Sequence, residues 1–177
     1  ELILTGANAY TGESQVEGGI LAISHNNALG ASTVRVIGNG TLRVDDNLTA
    51  VGNAMSINTG RTRTLQAADA ANAGTNITLS GVISGDGALT KTGAGTVTYI
   101  ATATHKGLTT VSEGKLQLGN GATSGNITGA IAISGGANLE FNTNTAVTNT
   151  SLISGGGIRT KEGTGKGTPG SSHNLPQ

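Results

Sequence analysis

Apolar residues in this chain come in short alternating runs. Residues 33–37, 41–44, 77–79, 97–100, 115–118, 130–134 and 138–141 place aliphatic or aromatic side chains at every second position. That is the period of a half-buried β-strand. Weaker runs fall at 55–57, 64–67, 82–83, 109–111, 146–148 and 151–153. Gly-Asn, Asn-Gly and Gly-Gly pairs punctuate them. Glycine turns a corner at positive φ without a Cβ clash, and asparagine tolerates the left-handed region. No stretch shows a sustained apolar stripe at helical spacing. The Ala-rich residues 66–73 lack one too, and read as a loop or a long corner.

The runs belong to a repeat. Ile83-Ser84-Gly85-Asp86-Gly87-Ala88-Leu89-Thr90-Lys91-Thr92-Gly93-Ala94-Gly95 returns, 70 residues later and without a gap, as Ile153-Ser154-Gly155-Gly156-Gly157-Ile158-Arg159-Thr160-Lys161-Glu162-Gly163-Thr164-Gly165. Residues 2–23 return as 97–118. Gly12 falls on Gly107, Val16 on Val111, Gly19 on Gly114, Leu21 on Leu116 and Ile23 on Leu118. Joined, the two relations give one unit, complete at 83–118: Ile-Ser-Gly-x-Gly, Thr-Lys-x-Gly-x-Gly, an apolar strand, a turn, Val, then Gly-x-Leu-x-Leu. A long tandem repeat with fixed glycines marks a repeat architecture.

Short strands without helices leave an antiparallel sandwich or barrel, or a parallel β-helix. Composition favours the β-helix. The chain has 177 residues with 30 glycines, 2% aromatics and 11% charged residues. A sandwich core draws much of its buried area from aromatics; here Val, Ile, Leu and Ala must supply it, so the core is thin. Thr, Ser and Asn take outward positions, where like side chains can ladder at the inter-strand spacing. At roughly 20–25 residues per coil the chain makes about seven or eight coils. At about 4.8 Å per coil the rod is about 35–40 Å long.

The complete unit, from Ile83-Ser84-Gly85-Asp86-Gly87 through Thr90-Lys91-Thr92-Gly93-Ala94-Gly95-Thr96-Val97 to Val111 and Gly114-Lys115-Leu116-Gln117-Leu118-Gly119, resembles the passenger-associated transport repeat of bacterial autotransporters. Leu4-Thr5-Gly6-Ala7-Asn8-Ala9-Tyr10-Thr11-Gly12 resembles its second half. The resemblance implies a right-handed parallel β-helix, exported to the cell surface or secreted, and no enzyme, because the repeat carries no catalytic residues in that family. The chain departs from the pattern at His105-Lys106, where the first copy keeps Tyr10-Thr11, and its last copy breaks off after Gly165.

Charge and motif content narrow the function further. Net charge is zero, which removes the basis for non-specific nucleic-acid binding and for attraction to an anionic membrane surface. Cysteine is absent, and a stacked core has no need of disulfides. The N-terminus carries no signal peptide, as expected of a cytosolic protein or of a mature or excised piece. The only adjacent acids, Asp45-Asp46, could serve acid–base chemistry in a β-helix glycosidase or lyase, but ordinary turn chemistry accounts for them. Asp86 lacks the nonapeptide array of a calcium-binding repeat. His25, His105 and His173 lack metal spacing. Arg61-Thr62-Arg63 reads as a solvated basic corner. Thr-x-Thr pairs such as Thr62/Thr64 and Thr90/Thr92 are too irregular for a flat ice-binding face.

The sequence therefore predicts no catalytic, cofactor-binding or metal-binding residue and no cofactor. It predicts a β-helix over 1–165 and, over 166–177, a polar tail that is disordered or foreign to the array. The function expected is a structural or adhesive surface stalk. Its partners would be a host surface, a glycan or, end to end, a second copy of itself. The alternatives are a self-assembling filament subunit, and a fragment of a polysaccharide-degrading β-helix.

Overall fold

The computed structural model describes residues 1–165 and the strand Gly167–Pro169. Every named element is a strand, and every pairing between strands is parallel. The chain is a β-solenoid of about eight turns, each lying on the one before. A Gly-rich chain of short strands reaches this arrangement because each coil supplies the edge that the next coil pairs with. Backbone N–H and C=O groups in a middle coil are thus satisfied from both sides.

Three faces run along the solenoid. The longest column begins at Leu2–Leu4 and continues through residues 21–23 and 42–44 to Thr62–Gln66, Ala88–Thr92, Thr109–Val111, Ile131–Ile133 and Ile153–Ser154. Leu2, Leu21, Leu42, Leu65, Lys91, Val111 and Ile133 lie in one register row. Successive members are 19 to 26 residues apart, the shortest step from Leu2 to Leu21 and the longest from Leu65 to Lys91. We call this the second face. The first face stacks residues 14–16, 34–36, Met55–Ile57 and Ile83–Gly85. It continues through Thr102–Ala103 on Asn126–Ile127 and Val147–Asn149 on Gly167–Pro169. The third stacks Leu48–Val51, Ile77–Leu79, Thr96–Tyr99, Lys115–Gly121, Asn138–Thr143 and Ile158–Glu162.

Each copy of the repeat enters this frame rotated by one face. Leu2 lies on the second face, whereas its counterpart Val97 lies on the third. Val16 lies on the first face and Val111 on the second. The later copy continues the advance, with Ile83 on the first face and Ile153 on the second, and Leu89 on the second and Arg159 on the third. A repeat therefore spans a whole number of coils plus one face.

The interior is aliphatic, as the composition requires. Val16, Leu42, Ile57, Leu65, Leu89, Val97, Leu116, Ile131 and Leu139 are all buried. Tyr99 is the large aromatic there. Its hydroxyl donates to the Gly81 carbonyl at 3.2 Å and accepts from the Ile83 amide at 3.2 Å, so the phenol is paired despite its burial. Burial pushes its pKa up to about 12. Outside, Thr41, Thr64, Thr90 and Thr110 form an in-register row across four consecutive coils. One member of each of two sequence pairs, Thr64 and Thr90, is thus aligned, whereas Thr62 faces Ala88 and Thr92 faces Gln66. The row ends at Ala132, and Leu108 stands exposed beside it.

Gln66 ends its strand, and residues 67–73 form the expected long corner. Asp69 organises it, its carboxylate accepting from the amides of Ala71 and Ala73 at 2.9 Å each. Of the predicted polar tail, Gly167–Pro169 pairs with Val147–Asn149; residues 166 and 170–177 lie outside the described residues.

Candidate functional site

The repeat's polar motif folds inward. Alternation along Ala88–Thr92 sends Leu89 and Lys91 into the interior and Thr90 out. Lys91 is 1% exposed. Its ammonium donates to the carbonyls of Gly93 and Gly95 at 2.6 Å each, of Glu113 at 2.9 Å and of Thr92 at 3.2 Å. The Glu113 carboxylate in turn accepts from the Gly93 amide at 3.0 Å. The Thr-Lys-x-Gly-x-Gly corner of one coil and the Glu-Gly corner of the next are therefore one structure. The lysine gives a donor to carbonyls of the tight turn, of which those of Thr92 and Gly95 also accept from the Ala67 and Lys115 amides, and the carbonyls replace its water. Burial pulls the Lys91 pKa down to about 8, with Glu113 opposing the shift; the amine stays protonated at neutral pH.

Two glycine positions show why the motif is fixed. Gly114 has φ +60, and a Cβ there would lie 2.6 Å from the Lys91 nitrogen and 2.5 Å from the carbonyl oxygens of Gly93 and Gly95. Gly85 and Gly155, related by the repeat, have φ +101 and +99, and a Cβ on either would fall within 2.2 Å of the carbonyl oxygen of Ile57 or Ile133. In the later copy Lys161 repeats the lysine's role in a more exposed setting, donating to Thr143 at 3.2 Å, to Gly163 at 3.1 Å and to the Glu162 carbonyl.

His105 departs from the repeat in identity and keeps it in role. In the first copy the Tyr10 hydroxyl bonds Ser14 at 3.0 Å, and Ser14 bonds Ser32 at 2.8 Å. In the second, His105 Nε2 bonds Thr109 at 2.8 Å, with Thr109 at the position of Ser14. His105 is fully buried, and burial lowers its pKa from the ordinary value.

The remaining candidates are placed as follows. Asp45 pairs with Arg43, whose Nη2 donates to it at 2.9 Å; Arg43 also binds Glu1, and these two partners raise its pKa. Asp46 caps the Asn47 amide at 2.7 Å. The two acids therefore serve an ion pair and a turn. Asp86 forms an exposed ion pair with Lys106 at 2.8 Å. His25 accepts from the Asn27 amide at 3.0 Å, and His173 lies outside the described residues. No group of three or more His, Cys, Asp or Glu that could hold a metal occurs among the described residues.

One expectation is overturned. Of Arg61-Thr62-Arg63, Arg61 is exposed at a turn, but Arg63 points inward in phase with Leu65 and is 1% exposed. The alternation Thr62-Arg63-Thr64-Leu65 carries that signal, but charge outweighs it in a reading from sequence.

Parallel coils whose repeated polar motif closes its own corners define a structural repeat array. Residues 1–23 and 89–118 match the family described as Passenger-associated-transport-repeat. The chain is 40% identical, over 162 residues and 90% of its length, to a protein named Adhesin BmaC autotransporter from Brucella suis biovar 1 (strain 1330). The match spans 4% of that relative's length. No solved structure matches the chain. The chain is a passenger repeat region of the bacterial autotransporter kind, and its location is the cell surface or the secreted fraction.

Proposed function

We propose that this segment is a non-catalytic, structural and adhesive stretch of a surface-exposed passenger. It acts as a stiff β-helical spacer whose outer faces contact a host surface or its glycans. The observation that carries the reading is the use of the repeat's chemistry. Lys91, Glu113 and Gly114 are engaged in holding one coil to the next. The adhesive part rests on the 40% identical relative, whose name is that of an adhesin.

The test uses bacteria displaying the whole passenger with and without this segment, together with the purified chain on host cells and on a glycan array. Binding by the purified chain, and weaker attachment by the deletion strain, are expected. If the purified chain binds neither cells nor glycans and the deletion strain attaches normally, the adhesive role is lost. If it releases sugar from a polysaccharide, the non-catalytic reading is lost.

A further inference from the structure

The tripeptide Gly-Asn-Gly occurs twice, at Gly38-Asn39-Gly40 and at Gly119-Asn120-Gly121. An asparagine followed by glycine has no Cβ on the next residue to shield that residue's nitrogen from the asparagine side chain. Both asparagines are exposed, but the fold sets them differently. Asn39 lies inside Val34–Val44, paired with Gly18 on the coil before. Its Oδ1 accepts from the Thr62 amide of the next coil at 3.1 Å, so its carboxamide is drawn away from its own main chain. Gly40 is buried, and a Cβ there would lie 2.3 Å from Val16 Cγ1. The Asn39–Gly40 peptide is therefore packed in place.

Asn120 instead folds back on its own turn. Its Oδ1 accepts from the amides of Ala122 at 3.1 Å and Thr123 at 2.7 Å. Its own amide donates to the Thr123 carbonyl at 3.0 Å, which closes the turn from the other side. A carboxamide oxygen held by the amides two and three residues on carries its Cγ toward the nitrogen of Gly121, which lies between. Gly121 is the last residue of its strand, beyond a register irregularity, and has φ +84. A Cβ placed there would meet only the side chains of Asn142 and Asn144, at 3.4 and 3.6 Å. Gly121 thus has room to shift where Gly40 has none.

We propose that Asn120 is a self-modifying site, at which the folded chain closes the Asn120 carboxamide onto the Gly121 nitrogen and loses ammonia. The Gly121 nitrogen bonds to Cγ, and its proton passes to solvent base. The Cγ–Nδ2 bond breaks, and Nδ2 takes a proton from water and leaves as ammonia. Water then opens the succinimide at either carbonyl, giving aspartate or isoaspartate at position 120. Negative charge gathers on Oδ1 as the ring closes, and the amides of Ala122 and Thr123 already point at that atom. The closed turn holds the reacting groups together. The product places a negative charge at the edge of the third face, on a chain whose net charge is zero. It accumulates with time after folding and needs no enzyme. The site is independent of the adhesive reading above.

The test is incubation of the purified chain in mildly alkaline buffer, folded and in concentrated urea, followed by peptide mass mapping of both tripeptides. In the folded chain Asn120 should convert at least about tenfold faster than Asn39. In urea the two share the same flanking glycines and should convert at closely similar rates. Isoaspartate should appear beside aspartate at position 120, because only the succinimide route yields it. Gly121→Ala, which puts a methyl group beside the attacking nitrogen, should slow the reaction at Asn120 and leave Asn39 as it was. The comparison of folded and unfolded wild-type chain stands even if that variant fails to fold. Equal rates at the two sites in the folded chain, the same preference for Asn120 in urea, or aspartate without isoaspartate would each overturn the proposal.

Discussion

Lys91 occupies a row of aliphatic side chains, between Leu65 and Val111, and is stable there because the corner needs a donor. Lys91→Met keeps the stem and removes the ammonium, so the Gly93 carbonyl loses its donor and the Gly95 carbonyl keeps only the Lys115 amide. A loss of about 2–4 kcal/mol is expected in urea unfolding. Lys161→Met, in the more exposed copy, should cost under about 1 kcal/mol. Gly114→Ala brings a Cβ against the same ammonium at φ +60 and should cost about 2–3 kcal/mol, read the same way. The fixed Thr-Lys and its glycines are visible in the sequence, but the lysine's direction is not. Polar residues at inward positions read as the end of a strand until the corner that uses them is known. His105 carries a pH dependence. Its folded pKa is depressed by burial, so as the medium acidifies the unfolded chain takes up the proton first. The contribution to stability is complete above the unfolded value near 6.5 and is lost as pH falls below it. His105→Tyr restores the residue of the first copy and should flatten unfolding free energy between pH 7 and 5. A variant as acid-sensitive as wild type would contradict this assignment.

At the scale of strands and corners, the alternating pattern served well where both inward residues were aliphatic. Met55–Ile57 and Ile77–Leu79 fall where the pattern places them. It failed where an inward position is polar or the strand has two residues. Ala88–Thr92 points Lys91 inward, while Thr102–Ala103 and Asn126–Ile127 are too short to show a period. The runs at 33–37 and 41–44 join into one strand, Val34–Val44, because Gly38 and Gly40 let the backbone run on through the bend against Ser14–Ile23. The long corner at 67–73 was legible from its composition, though not its organiser. Asp69→Ala removes the acceptor for two corner amides. It should cost about 1 kcal/mol and speed amide exchange at Ala71 and Ala73 while leaving Leu65 and Leu89 protected, which hydrogen exchange can resolve.

For the molecule as a whole, the one-face advance of each copy has a structural consequence. Features tied to the repeat do not line up along one side of the rod. The Lys-Gly corner that follows the second face at Lys91 follows the third face at Lys161. Three copies would bring it back to its starting side, so corner reinforcement is distributed around the axis. The repeat unit and the parallel class could be read from the sequence; the rotation could not, because it depends on coil lengths that vary from 19 to 26 residues along one row.

Stacking in this register is the claim on which the rest stands, and the chain's lack of cysteine makes it directly measurable. Adjacent parallel strands lie about 4.8 Å apart, within reach of a disulfide. Three double variants are needed: Thr64→Cys with Thr90→Cys, Thr90→Cys with Thr110→Cys, and Thr90→Cys with Gln117→Cys. On mild oxidation the first two, register partners on one face, should form an intramolecular disulfide in the folded protein. The third joins residues on different faces and should stay reduced. A disulfide in the third, or none in the first two, would contradict the parallel solenoid.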